Sequence, residues 1–254
     1  MSEDKNADAN EVVDTCLLAG RLMIEGGSEM YRVEDTVRRI AYNSGQKNSA
    51  SFTTLTGVMI SIKGQPVTQF GAVNHRGIDM EKVDRVNTLS RRYGNKELTL
   101  NQLKNELEKL DKNLPTYPMW MQLLGAFLVS ATMMIIFTQK YDWFDIPLAG
   151  ITGTIGYLVA FYVTRTTSIR FISDFLGSFI LGALAMLGVH FGLGHNLNSI
   201  LIGAVMPLVP GVAITNALRD MLAGHLLSGL ERALEAGMSA CAISVGIAVL
   251  FRYF

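Results

Sequence analysis

Apolar positions change their spacing several times along this chain, and each change marks a different kind of element. In residues 11–25, Val12, Val13, Cys16, Leu17, Gly20, Met23 and Ile24 recur at helical spacing. Gly26-Gly27 ends that helix, and Ser28 is placed to cap the next one. The second helix carries Met30, Val33, Val37, Ile40 and Ala41 on one side. Glu34–Arg38 and Asp35–Arg39 sit four apart on the other side, in the favourable order, and Gly45 ends the helix. The period then falls to two. Val58, Ile60 and Ile62 alternate with Met59, Ser61 and Lys63, which is strand spacing. Gly64-Gln65-Pro66 predicts a turn, Val67 to Val73 a returning strand, and Thr53, Thr54 and Thr56 a preceding one. Helices follow near 79–93 and 100–112. Thr99 and Gln102 form a capping box for the second of these, and Leu100, Leu103, Leu107 and Leu110 its stripe.

Beyond residue 117 the polar positions thin out and five apolar segments follow, at 118–138, 146–163, 171–191, 197–215 and 234–251. Each is about the length needed to cross ~30 Å of hydrocarbon. Trp120 and Tyr117 fall where interfacial aromatics belong. The expected fold is an α+β cytoplasmic N-terminal domain, 1–114, followed by an all-α polytopic membrane domain of five transmembrane helices, 115–254.

Composition sharpens this division. Of 254 residues, 49% are hydrophobic, and 22 basic side chains balance 22 acidic ones. Most of the charge lies before residue 113. There is no basic excess to suggest nucleic-acid binding. The polar start, Ser2 to Asn10, lacks a basic-then-apolar signal peptide. Cys16 and Cys241 fall one in each half, which argues against a disulfide framework and a zinc site; both are expected to pack as small apolar residues. No cofactor or metal is expected. Loop charge sets orientation. Loop 164–170 holds Arg165 and Arg170 without an acid, and 216–233 holds Arg219 and Arg232. Loop 192–197 has neither Lys nor Arg, and 139–145 has one Lys against two Asp. With the Arg-bearing loops inside, the N-terminus is cytoplasmic and the C-terminus outside, Arg252 being a mild exception.

Candidate chemistry concentrates in Pro207-Leu208-Val209-Pro210-Gly211-Val212-Ala213-Ile214-Thr215-Asn216-Ala217-Leu218-Arg219-Asp220. Two prolines and a glycine within five residues break a helix. Entered from outside near Asn198, the break lies about 14–20 Å deep, close to the midplane. Broken backbone at that depth survives where it is buried in protein or lines a watery cavity. Transporters aim such half-helix N-termini at anionic solutes. Pro207, Pro210, Gly211, Asn216 and Arg219 are therefore the substrate-binding candidates. Asn216 and Asp220 share a helical face, with Arg219 beside them. An interfacial Arg219–Asp220 ion pair is the plainer alternative. Asp220, Asp174 and His225 are the proton-coupling candidates. Asp174 can also simply pair with Arg170, and His190 and His195 fall near the outer end. From Asn198 to Leu230 the apolar character is too long for one crossing, so 216–232 is expected to tilt or run along the cytoplasmic interface. Gly188 and Gly192 form a GxxxG pair, usually a sign of close helix packing.

In the first half, Glu25-Gly26-Gly27-Ser28-Glu29-Met30-Tyr31-Arg32-Val33-Glu34 stands out. Ser28, Tyr31, Arg32 and Glu34 could hold a carboxylate solute or contact the membrane domain. The plain alternative is a helix junction with caps and solvated charges. No histidine lies near Ser28 in sequence and Cys16 has no obvious base, so the chain is not expected to be an enzyme.

The strings Gly26 to Thr36 and Pro207 to His225 resemble the threonine/serine exporter family, and more closely its YjjP-type large subunits. The resemblance covers nearly the whole chain in the same order. It implies efflux of small carboxylate-bearing metabolites across the bacterial inner membrane, driven by the proton motive force. Members are linked to threonine and serine, the YjjP-type branch to succinate. Fused members carry about ten helices, whereas this chain stops after five. The resemblance therefore implies a small multi-pass membrane partner subunit and a hetero- or homo-oligomer in the bilayer. The rival readings are a membrane-bound hydrolase using the N-terminal domain and a non-transporting membrane scaffold.

Overall fold

The computed structural model of the chain describes residues 8–112, 117–139, 141–167 and 169–252. The expected domain boundary at 114/115, most of the polar start and Lys140 lie outside the described residues. The described chain forms two compact units. The first runs from α1 (Ala9–Glu25) through α2 (Met30–Asn43), β1 (Ser49–Thr54), β2 (Gly57–Ile62), β3 (Thr68–Ala72) and α3 (Met80–Gly94) to α4 (Leu100–Lys112). It also takes in Val212–Ala233, which arrives from the far end of the sequence.

The sheet is antiparallel in the order β1-β2-β3, with Thr54 opposite Gly57 and Gly57 opposite Ala72. Its alternation works as the spacing predicts: Val58, Ile60 and Ile62 are buried while Met59 is exposed. Thr56 falls in the β1–β2 turn rather than in a strand. The helical stripes of α1, α2 and α4 close over the buried face, with Val13, Cys16, Leu22, Val37, Ile40, Leu103 and Leu107 in one core. The Thr99–Gln102 capping box forms in both directions, at 2.9 and 3.3 Å. Cys16 packs as expected, and burial pushes its thiol up to about 12 against a weaker opposing backbone hydrogen bond. Cys241 instead lies exposed on its helix.

The second unit holds α5 (Met119–Thr138), α6 (Asp145–Thr167), α7 (Arg170–His190), α8 (Leu197–Val205) and a 3-10 turn, Met206–Leu208. Beyond Pro210 come α9 (Gly211–Leu222) and α10 (Leu226–Phe251), the latter belonging to the second unit from Leu234 onward. Helices α5, α6, α7 and α10 are each long and apolar enough to cross a membrane; α8 with α9 make a fifth candidate if the broken pair counts as one span. The α10 helix begins at Leu226, eight residues ahead of the expected 234, because polar Arg232 and Glu231 find partners within the first unit.

Small residues let these helices touch backbone to backbone. A Cβ at Gly177 would lie 2.9 Å from the Gly156 carbonyl oxygen, and one at Gly203 would lie 2.6 Å from that of Ser130. The GxxxG pair behaves differently. Gly188 abuts Leu148, but Gly192 closes the helix end at φ +74° and packs against nothing. Gly177→Leu is expected to cost at least about 1–3 kcal/mol, because the added side chain must force α6 and α7 apart. Gly125→Leu, at a position with nothing within 4 Å, should be near neutral. Thermal aggregation of the two variants in detergent checks this: only Gly177→Leu should lower the midpoint.

Candidate functional site

The turn between α1 and α2 is built from glycine because its backbone is crowded. Gly27 has φ +84°, and a Cβ there would lie 2.9 Å from the Gly77 carbonyl oxygen. Ser28 is buried, and its hydroxyl lies 3.4 Å from the Glu29 carbonyl. The N-cap of α2 is Glu29, not Ser28, and no side chain from the turn caps the helix. The cap comes from 190 residues away: the Met30 N–H donates to Asp220 Oδ1 at 2.8 Å.

Other groups on α9 and α10 hold the same turn. Asn216 Nδ2 donates to the Gly27 carbonyl at 2.9 Å, and Arg232 Nη2 to the Ser28 carbonyl at 2.5 Å. Arg219 Nη1 donates to Glu29 Oε1 at 2.8 Å, and Arg232 Nε sits 3.0 Å from Asp220 Oδ2. Glu34 faces His225 at 3.4 Å, while Asp35 takes Arg39 at 2.8 Å as its spacing predicts. The two strings that stand out in the sequence therefore meet. The plainer expectation of an Arg219–Asp220 pair is corrected: these neighbours project differently on the helix, and each finds another partner. Tyr31 and Arg32 lie on the exposed side, with Arg32 Nε 3.1 Å from the Tyr31 hydroxyl and 3.2 Å from Glu29. Burial alone would push the Glu29 carboxyl up. Its own backbone N–H, the Arg219 hydrogen bond and the charges of Arg32 and Arg219 outweigh burial and hold it below the usual glutamate range.

The break itself borders a second place, an open cleft of about 710 Å³ in the second unit. Pro207 and Leu208 line it together with Gln122, Tyr157, Arg165, Arg170 and Asp174. Tyr157 donates to Gln122 Oε1 at 2.8 Å, and Gln122 Nε2 donates to the Tyr117 carbonyl at 2.8 Å. Asp174 is buried, and its Oδ2 lies 3.9 Å from Arg170 Nε with no hydrogen-bond partner. Pro210 is buried, and Gly211 is exposed at the start of α9. The cleft thus offers two guanidiniums, a buried carboxylate and a polar amide–phenol pair beside interrupted backbone.

One buried acid escaped sequence reasoning. Asp145 is fully buried and accepts the N–H groups of His195 at 2.6 Å and Asn196 at 3.0 Å, tying the α6 start to the loop before α8. Its place beside Trp143 and Phe144 in a polar loop gave no signal of that role.

Residues 14–253 match the family described as "Putative threonine/serine exporter". The chain belongs to the threonine/serine exporter family. Among curated relatives, it is 23% identical over 250 residues to "Probable succinate transporter subunit YjjP" of Klebsiella aerogenes, covering 97% of this chain and 95% of that one. It is 24% identical over 243 residues to the protein of the same name from Escherichia coli, covering 93% and 92%. No solved structure matches the chain. As an exporter-family protein with several apolar helices, it is a multi-pass membrane protein of a transporter class.

Two tests follow from the buried turn. Asp220→Ala leaves Arg232 buried without its carboxylate and the Met30 N–H without its acceptor, and should cost about 3–5 kcal/mol. Paired neutralisation, Asp220→Asn with Arg232→Gln, should cost less; limited proteolysis at residues 25–31 checks the order. For Glu29, whose carboxyl is held low, the stabilising contribution is complete above the unfolded value of about 4.3 and is lost as pH falls through the lower folded value. Hydrogen exchange of the 28–33 amides should therefore quicken, beyond the intrinsic pH dependence, only below about pH 4.3 in the native chain, and Glu29→Gln should remove that step.

Proposed function

We propose that this chain is the larger subunit of a bacterial inner-membrane exporter for small carboxylate-bearing metabolites, threonine, serine or succinate. The proton motive force drives it, and a small multi-pass membrane subunit completes it. The N-terminal α+β domain is cytoplasmic, five spans follow with α8–α9 as the broken one, and the C-terminus is outside. The observation that carries this reading is the cleft bordered by Pro207 and Leu208, where Arg165 and Arg170 stand beside interrupted backbone and the buried Asp174.

In this reading the solute carboxylate meets Arg165 and Arg170 in the cleft that the Pro207–Pro210–Gly211 break borders. Asp174 carries the coupling proton, since it is a buried carboxylate bordering the cleft. Asn216 and Arg219 act as positioning residues: they hold the Gly27–Glu29 turn and so fix α9, which the break begins. Asp220 and His225 stand behind Asp174 as proton carriers, because their carboxylate and imidazole are already engaged by Arg232 and Glu34. Relatives named as succinate transporter subunits support both the solute class and the need for a second chain. Ser28, buried with its hydroxyl on a carbonyl, lends the hydrolase reading no support.

The experiment is retention of labelled threonine, serine and succinate in cells lacking related exporters. The chain is produced alone, with its small partner, and with that partner plus Arg170→Gln or Arg219→Ala. One solute should leave faster only when both proteins are present. Arg170→Gln should slow that loss by about 10–100-fold, the worth of one charge-assisted hydrogen bond. Unchanged retention of all three solutes, with both proteins abundant in the membrane, would overturn the proposal.

A further inference from the structure

A separate pocket lies wholly within the first unit, between α2 and α3, and the export reading makes no use of it. Its volume is about 260 Å³, below the ~300–1,000 Å³ of sites for drug-sized ligands, so it suits a ligand of few heavy atoms. Arg32, Arg39 and Arg91 line it against a single carboxylate, Asp35. Asp35 is committed to Arg39, and Arg32 is shared between Glu29 and the Tyr31 hydroxyl. Arg91 has no ion pair among the described residues.

The neutral groups of the lining favour the same kind of ligand. Thr36 Oγ1 donates to Asn87 Oδ1 at 3.2 Å, which occupies the amide's acceptor and leaves its N–H groups to donate. Ser90 is 2% exposed, lines the pocket, and its hydroxyl has no hydrogen-bond partner. A buried hydroxyl without a partner is costly unless something supplies one. Three guanidiniums, an amide NH2 and an unpartnered O–H make a lining rich in donors and poor in acceptors. Guanidinium forks match the paired oxygens of carboxylates and phosphates.

We infer that the α2–α3 pocket is a binding site for a small, doubly charged oxyanion, held by Arg91, Arg32 and Arg39 with Ser90 and Asn87 as neutral donors. The ligand is a dicarboxylate or a phosphate. It is bound outside the membrane-crossing helices and contacts the same helix, α2, whose start Asp220 caps. That places a second, non-transported anion where it can hold α2 against α3.

The test is calorimetric titration of the purified full-length chain in detergent with inorganic phosphate, succinate and L-threonine, at constant ionic strength with chloride as background. Phosphate or succinate should bind, and zwitterionic threonine should bind at least about tenfold more weakly, a difference of about 1.4 kcal/mol. Whichever dianion binds identifies the source: a phosphorylated metabolite or a dicarboxylate. Arg91→Gln should weaken binding about tenfold or more, whereas Arg85→Gln, a charge of the same helix outside the pocket and paired with Glu81, should change it less than about twofold. Ser90→Ala should weaken binding while leaving the unliganded protein no less stable, because it removes a hydroxyl that has no partner. Absence of phosphate and succinate binding above the chloride background would overturn the inference. So would equal losses in Arg91→Gln and Arg85→Gln, which would mean diffuse charge attraction rather than a site.

Discussion

A carboxylate with no exposure at all needs its partners, and those of Asp220 are Met30, from the far side of the sequence, and Arg232, from the next helix. One oxygen accepts the first amide of α2 and the other faces Arg232. An ionised group without exposure needs an opposite charge and hydrogen-bond donors close by, because losing either partner would cost several kcal/mol. The requirement runs both ways. Asp220 needs the α2 start, and the α2 start, which has no cap of its own, needs Asp220. Asn216, Arg219 and Arg232 complete the bonding by taking the carbonyls and carboxylate of the same turn. The glycines of that turn answer to a different neighbour, the segment before α3: a Cβ at Gly26 would meet the Asp79 carbonyl oxygen and one at Gly27 that of Gly77.

Much of the fold is legible because it rests on local rules. The period-two run through Val58, Ile60 and Ile62, the capping box at Thr99, and the leucine stripe of α4 each depend on near neighbours in sequence, and each forms as its pattern implies. The apolar helices announce themselves by length. Where tertiary contacts compete with local ones, the pattern misleads. Ser28 has the chemistry of a cap, yet its hydroxyl is turned to a carbonyl while a residue of α9 takes the amide. Arg219 and Asp220 are adjacent, but adjacent helical residues diverge by about a quarter turn and so reach different partners. Asp145 is the clearest omission: an acid in a polar loop carries no mark of the two distant amides it will accept.

The candidate solute cleft shows the same mixture. The interrupted backbone at Pro207 and Pro210 is written in proline and glycine and can be read directly. The side chains around it come from α5, α6 and α7, and none of Gln122, Tyr157, Arg165 or Arg170 is distinguished by spacing from an ordinary interfacial residue. Only packing brings them to one wall. The first amide and the first charged side chain after the break, Asn216 and Arg219, are spent on the α1–α2 turn.

The discontinuity of the first unit has a consequence in time. Its core lies before residue 113, but the acceptor for the Met30 amide is made roughly 110 residues later, after α5 to α8. At about 5–20 residues per second, that interval is on the order of 5–20 s of synthesis. Throughout it the start of α2 cannot have its native cap, and the turn at Gly27 cannot have its native grip. Helices α5 to α8 must leave the ribosome before the polar domain ahead of them is finished. Maturation of the first-made part of the chain is thereby tied to delivery of α9 and the start of α10.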